Sequence, residues 1–257
     1  MPEIDINADM GEGFGAYDIG DDAAMLDIVT SANLACGFHA GDPAIMARRC
    51  AQAGARGVRI GAHPGYPDLA GFGRREMAMT PDALGAALAY QIGALQGVAR
   101  QAGHAVTHVK VHGAMAHRVA QDAEAGEALI DAMRGAGRGL VLVVMAGTPL
   151  EGWADAAGLP LAREIFADRT YEGDGRLTPR DRPGALIRDP AQAATQVLAM
   201  LREGAVIART GASLPVASID TVCTHADSPG AVAIARAVRG ALEQAGFAIR
   251  PFAAGPA

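Results

Sequence analysis

The sequence predicts a single-domain α/β fold over residues 1–257, with a parallel sheet closed or nearly closed into a β/α barrel of about seven strands. Three observations lead to it. Short β-type runs alternate with helical patterns along the whole chain. Helix starts repeat one signature, a capping side chain followed by Pro at the first helical position. The length of 257 residues is near the usual size of an α/β barrel and near the upper limit for one hydrophobic core. A doubly wound open sheet shows the same alternation and is the competing architecture.

Taken in order, the β-type runs are Ile4 to Ala8, Ile28 to Ala35, Val58 to Ala62, Val106 to Val111, Leu140 to Met145, Arg163 to Ala167 and Ser218 to Thr224. The helix signature occurs at Asp42-Pro43, Thr80-Pro81, Thr148-Pro149, Asp189-Pro190 and Ser228-Pro229. At each site the cap side chain satisfies orphan N–H groups, and Pro, which has no N–H, loses nothing there. The helix from Pro43 is predicted to run to about Gly54. After Thr80-Pro81, Leu84, Leu88, Ile92 and Leu95 recur at helical spacing up to a stop at Gly103, making this the longest helix. After Ser228-Pro229, Val232, Ala235, Val238 and Leu242 share a face. No linker, low-complexity tract or repeat divides the chain.

Half the residues are hydrophobic but only 4% are aromatic, so the core must be built from Ala, Val, Leu, Ile and Met. The net charge is −6 and no cationic run occurs, which argues against nucleic acid and anionic membranes as partners. No apolar stretch approaches membrane-spanning length, and Met1 leads into a polar-alternating strand, so a cytoplasmic protein acting on small molecules is expected. Cys36, Cys50 and Cys223 are widely separated and are expected to be buried, reduced thiols. Of the 22 basic residues, 21 are Arg, and the single Lys, Lys110, lies inside an apolar strand. The Ala-rich helices suit either barrel cover or contact with a second copy, so a homo-oligomer stays open.

Strand sidedness locates the chemistry. Successive strand residues face opposite ways, which puts Asp5, Asn7 and Asp9 on one side of the first strand. Arg59, Gly61 and His63 share a side of the third, and His108, Lys110 and His112 share a side of the fourth. With helices covering the apolar side, the polar side faces the barrel interior. Asp9, His39, His63, His112 and His225 fall at or just beyond the carboxyl ends of strands, where α/β barrels assemble their sites. Any one of these histidines alone could equally be a hydrogen-bonded core residue; several together point to a site. Glycines surround them, as in Gly11-x-Gly13-x-Gly15, but neither a dinucleotide fingerprint nor a P-loop is present.

The segments NADMGEGFG (7–15), SANLACGFHAGDP (31–43), IGAHPGYPDLAGFGRR (60–75), VKVHGA (109–114), EIFADRTYEGDGRLTPR (164–180) and TVCTHADSPGAV (221–232) closely resemble the LamB/YcsF family, in the family's order and over nearly the whole chain. The resemblance implies an irregular seven-stranded, TIM-like β/α barrel similar to that of the polysaccharide deacetylases. It also implies ATP-dependent opening of a lactam, 5-oxoproline, to L-glutamate in a complex with two further subunits, B and C. The chain departs from the family at Val111, at Met115-Ala116-His117 and at Ala226, positions that bear on the shape of the substrate pocket.

On this reading Asp9, His39, His63, Lys110 and His112 are the candidate catalytic residues, and Asn7, Glu12, Asp42, Arg74, Arg169 and His225 are candidates for binding substrate or phosphate. Lys110 would stabilise negative charge, Asp9 would act as base or orient water, and the histidines would move protons to the ring nitrogen. Whether ATP binds here, at a partner or between them stays open. Two alternatives stand beside this reading. In one, Asp9, His39 and His63 ligate a divalent metal for deacetylase-like amide hydrolysis, although the H-x-x-x-H spacing of the deacetylases is lacking. In the other, the chain binds and presents the lactam without catalysing its opening.

Overall fold

The computed structural model describes residues 1–228 and 230–253. In chain order the elements are β1 (Glu3–Met10), α1 (Asp22–Leu26), β2 (Ser31–Ala35), α2 (Pro43–Ala55), β3 (Arg59–His63), α3 (Pro81–Gln101), β4 (Val106–Val109), α4 (Gly113–Gln121) and α5 (Ala123–Ala136). They continue with β5 (Val141–Met145), α6 (Pro149–Ala156), β6 (Leu161–Phe166), α7 (Pro190–Glu203), β7 (Ala205–Ile207), β8 (Ser213–Pro215), β9 (Thr221–His225), α8 (Ala231–Gln244) and β10 (Ala248–Ile249). No helix among the described residues is long and apolar enough to cross a membrane.

The cap-and-Pro signature starts its helices by the expected chemistry at three of five sites. Asp42 accepts from the N–H groups of Ala44 and Ile45, Thr80 from Ala83 and Asp189 from Gln192. Thr148 precedes α6 but donates its hydroxyl to the Met145 carbonyl, so that helix has no side-chain cap. Pro229 lies outside the described residues, and α8 opens from Gly230 instead.

All seven anticipated strands are present, and they pair in parallel in the ring β1-β2-β3-β4-β5-β6-β9, with β9 returning to β1. Closure excludes the open sheet. Only the first residues of β1 lie beyond β9, and there Glu3 and Ile4 pair with β10. The short antiparallel pair β7–β8 stands outside the ring, between β6 and β9 in sequence. Two strand limits moved. Ile28 and Val29 bond back to Met25, closing a turn, so β2 begins only at Ser31. The fourth strand ends formally at Val109, yet the Lys110 and His112 N–H groups still donate to Ala62 and Pro64, and the ladder carries both side chains onward.

Outside the ring the core is apolar: α3 alone buries Leu84, Leu88, Ile92, Leu95 and Ala99 completely. Inside it is largely polar, as strand sidedness anticipated. Asp5 accepts from Thr30 and Ser31 at 2.7 Å each and from Thr221 at 2.5 Å. Above it, Asn33 Nδ2 donates to Asn7 Oδ1 at 2.7 Å and Asp9 Oδ1 at 2.9 Å, while His108 Nε2 meets Asn33 Oδ1 at 2.9 Å. Such a network is stable only because each buried group has partners. Gly61 makes room for it, since a Cβ there would come within 2.0 Å of His108 Nε2. Val141, Val143, Ala162 and Phe252 form a separate small apolar cluster.

Candidate active site

The site grows directly from this interior. Register places Asp9 opposite Asn33 on β2 and His225 on β9, and Ala35 opposite His63 on β3. Lys110 therefore emerges beneath the carboxyl ends of the strands with four partners. Its Nζ lies 2.8 Å from Glu164 Oε1, 3.0 Å from Asp9 Oδ1, 3.2 Å from Asn7 Oδ1 and 2.9 Å from Cys223 Sγ. The Phe166 ring lies 5.2 Å from the ammonium. Burial alone would pull its pKa down, but Asp9, Cys223 and Glu164 outweigh burial and hold the ammonium charged, well above its ordinary value.

Asp9 has the converse balance. Burial raises its pKa, yet His63 and Lys110 overcome it and keep the carboxylate well below the usual range. Its Oδ2 lies 3.3 Å from His63 Nε2. Glu12 and Glu164 are held above their ordinary values by burial, with Asp9 adding to it in each case.

The imidazoles form a second layer. His63 Nε2 is 3.0 Å from His112 Nδ1, and the two rings meet edge to face at 86°. His39 stacks flat on His112, with centroids 3.7 Å apart and planes 3° apart, and its Nε2 is 3.3 Å from Glu12 Oε1. Burial, then the neighbouring imidazoles, holds both His39 and His112 well below the usual histidine range. Gly73, at φ 64°, permits this stack, because a Cβ would sit 2.7 Å from His39 Cβ and 2.9 Å from His112 Cδ2.

A cavity of about 1050 Å³ opens over this array. Asp9, His63, Lys110, His112, Arg74, Arg169 and His225 all line it, so seven of the eleven residues singled out in the sequence converge there. The other four lie elsewhere. Asn7 is buried below Lys110, bonded to Glu164 and Thr221. Asp42 is spent on capping α2 and on the Gly15 N–H. Glu12 and His39 stand behind the exposed wall, against His112. The three groups imagined as metal ligands are redistributed: one donor cluster joins His39 and His63 with Glu12 and His112, while Asp9 reaches it through His63.

Arg74 is paired with Asp227 and lies 4.8 Å over the Phe72 ring. Arg169 is different. It is buried, donates to the Thr178 and Ala185 carbonyls, and has no carboxylate within 4.0 Å among the described residues. Burial, then Arg180, lowers its pKa to about 10, so the guanidinium remains a cation facing the cavity.

Sequence reasoning missed Glu164, which grips Lys110, and Asp168, whose two oxygens lie 2.9 Å from His225 Nδ1. The signal for Glu164 was present: Ala162, Glu164 and Phe166 share one side of β6, just as the polar residues of β1 do. Asp168 lies past the strand, where alternation ends.

Comparison with known proteins matches this site-bearing chain end to end. It is 52% identical over 256 residues to the A component of 5-oxoprolinase from Rhodopseudomonas palustris, covering 99% of this chain and 100% of that one. It is 53% identical over 250 residues to the A component of 5-oxoprolinase from Paracidovorax citrulli, covering 97% and 99%. The lactam utilization protein from Thermus thermophilus superposes with a TM-score of 0.90 at 46% identity, covering 97% of this chain and all of the other. The catalytic domain of a peptidoglycan N-acetylglucosamine deacetylase from Eubacterium rectale shares the fold, with a TM-score of 0.51 at 11% identity over 98% of this chain and 90% of its own. The model of the LamB/YcsF family matches residues 4–256, and the chain belongs to that family.

Proposed function

We propose that this chain is the lactam-opening component of a 5-oxoprolinase, converting 5-oxo-L-proline to L-glutamate at the expense of ATP together with subunits B and C. The observation that carries this reading is the full-length match, at just over half identity, to proteins named as the A component of 5-oxoprolinase. The buried ammonium–carboxylate–imidazole array beneath a cavity supplies the chemistry such a reaction needs.

An unstrained five-membered lactam is a poor electrophile. Transfer of the ATP γ-phosphoryl to the amide oxygen makes an imidate phosphate and ADP. Water then adds to that carbon, the C–N bond breaks, and the ring nitrogen takes a proton; a second water releases phosphate from the resulting acyl phosphate. Lys110, a cation fixed by four partners, stabilises negative charge on the oxygen or phosphoryl group. Asp9, kept ionised, aims the water or removes its proton. His63 and His112 pass a proton to the nitrogen, and Arg169 and Arg74 hold phosphate or the substrate carboxylate. Asn7 and Asp42 hold structural bonds, Asn7 to Thr221 and Asp42 to the start of α2, and support the site from behind. The chain has no P-loop, and the γ-phosphoryl reaches this cavity from ATP bound here, at a partner subunit or between them.

The test is an assay of the chain with and without subunits B and C, supplied with 5-oxoproline and ATP, following glutamate and ADP. Turnover is expected only from the complex. Glutamate formation by the chain alone overturns the incomplete-enzyme reading, and no turnover by the complex overturns the substrate.

A further inference from the structure

Two of the arginines that line the cavity lack a counter-ion. Arg74, Arg118, Arg176 and Arg182 each have a carboxylate within 4.0 Å, from Asp227, Asp122, Asp174 and Glu172 in turn. Arg169 and Arg180 line the same cavity and have none among the described residues. Both belong to the loop 167–189, which joins β6 to α7. The loop is fastened on itself: Arg169 pairs with Leu186 and Tyr171 with Leu177 in isolated antiparallel bridges, and Thr170 Oγ1 donates to the Gly184 carbonyl at 2.8 Å. Arg169 Nη2 donates at 2.6 Å to the carbonyl of Thr178, close before Arg180 in sequence, so the first guanidinium ties down the segment that carries the second. The two charges are near enough that Arg180, after burial, is the main cause bringing Arg169 down to about 10. Cations gathered in a part-buried site without a counter-ion repel each other and favour a bound anion.

We propose that Arg169 and Arg180 seat the phosphoryl group that ATP transfers to the lactam, so that the phosphate end of the nucleotide enters this chain rather than staying on a partner subunit. That reaction, on whose assignment above the seat rests, brings two anions to the cavity, the lactam carboxylate and the triphosphate. Three features favour the second here. The side-on fork of Arg169, Nε with Nη2, is spent on the Ala185 and Thr178 carbonyls, which leaves Nη1 as its one nitrogen with no partner among the described residues. A carboxylate is gripped best by a whole fork, whereas the oxygens of a phosphoryl group point to separate donors, here one from each arginine. Two guanidiniums also match the double negative charge of a phosphoryl group. Finally, a cavity of about 1050 Å³ is at the top of the range of roughly 300–1,000 Å³ that holds drug-sized ligands, and 5-oxoproline, one small ring, fills little of it. In the transfer the lactam oxygen bonds to the γ-phosphorus, the bond from that phosphorus to the β,γ-bridging oxygen breaks, and ADP leaves with the electron pair. Arg169 and Arg180 meet the charge spread over the peripheral oxygens, while Lys110 remains for the lactam oxygen.

Arg180 is half-buried and takes no part in the bridges of the loop, so Arg180→Gln leaves those bonds in place; its fold is checked by circular dichroism. In the complex with subunits B and C, R180Q is expected to raise the KM for ATP at least ~10-fold while the KM for 5-oxoproline stays within about twofold. Arg180→Lys, which keeps the charge without the fork, is expected to raise it less. Arg182→Gln, which removes an arginine already paired with Glu172, is expected to behave like the parent. Calorimetric titration of the full chain alone with the β,γ-imido analogue of ATP is expected to show binding by the parent and at least ~10-fold weaker binding by R180Q. If the chain alone does not bind the analogue but the KM split is present in the complex, the seat stands and a partner holds the rest of the nucleotide. An unchanged KM for ATP in folded R180Q overturns the seat. So does a rise confined to the KM for 5-oxoproline, which assigns the two arginines to the lactam carboxylate. Analogue binding that R180Q loses, in a complex with no lactam turnover, strikes the functional reading alone; intact turnover with the KM for ATP unchanged strikes the seat alone.

Discussion

Replacing Lys110 with Met removes the one cation that touches Asp9, Glu164, Asn7 and Cys223 together. The side chains of Asp9 and Glu164 are only 6% and 2% exposed, so solvent cannot take over the lost contacts. Breaking a buried pair by deleting one partner costs about 3–5 kcal/mol, a large part of the ~5–15 kcal/mol that stabilises a typical domain. The loss has a sign with pH. In the parent, the depressed pKa of Asp9 contributes stability present above its unfolded pKa and lost as pH falls through the folded one. In Lys110→Met the lysine's share of that pull is gone, leaving His63 to oppose burial at Asp9, while Glu164, already raised by burial, rises further. Raised carboxylates contribute stability below their unfolded pKa values and lose it as pH rises. Urea denaturation should therefore show the full deficit at about pH 8 and a smaller one at about pH 5. Adding Glu164→Gln should recover part of it by neutralising one stranded charge. A deficit below ~1 kcal/mol, or one independent of pH, refutes the reasoning. In the complex, the same variant should lower kcat by at least ~100-fold.

Asp5, raised by burial from 3.8 to about 6, loses stability as pH climbs through that value. Asp5→Asn should thus gain on the parent by up to about 3 kcal/mol between about pH 4 and pH 8, and parallel stability curves would count against it. Gly61→Ala forces a Cβ against the His108 ring, which is held by Asn33 and Thr107, and should cost about 1–3 kcal/mol in denaturation; a neutral result would mean the ring moves freely. Arg169→Met strands two buried carbonyls, of Thr178 and Ala185. It should destabilise by about 1–3 kcal/mol and raise the KM for substrate, and an unchanged KM would remove Arg169 from binding.

The barrel was legible because its signals are local. Seven apolar runs and five cap-and-Pro starts each depend on a few neighbouring residues, and every run became a strand of the ring. The misses have physical causes. α4 and α5 start without a Pro: His112 supplies no cap bond for α4, and Asp122 alone caps α5. The β7–β8 pair has only three residues a side, too few for alternation to declare itself. In the site, Asp9, His63 and Lys110 were placed together by sidedness, since alternation along a strand survives into the fold. Asp42 shows where such reading stops, because a carboxylate in a Gly-rich loop reads alike whether it meets a ligand or, as its bonds to Gly15 and Ala44 show, caps a helix.

By itself, then, the sequence determines the strand and helix alternation, the polar face that lines the barrel, and the isolation of a single amine at Lys110. Those follow from period and composition, which are properties of short segments. Which groups touch was decided only by the tertiary structure. Glu164 and Lys110 are 54 residues apart in sequence (164 − 110) and meet at 2.8 Å. The stack of His39 on His112 and the facing nitrogens of His63 and His112 depend on barrel closure and on the small profile of Gly73. Ring closure and register set distances between strands, and no periodicity within one strand contains them.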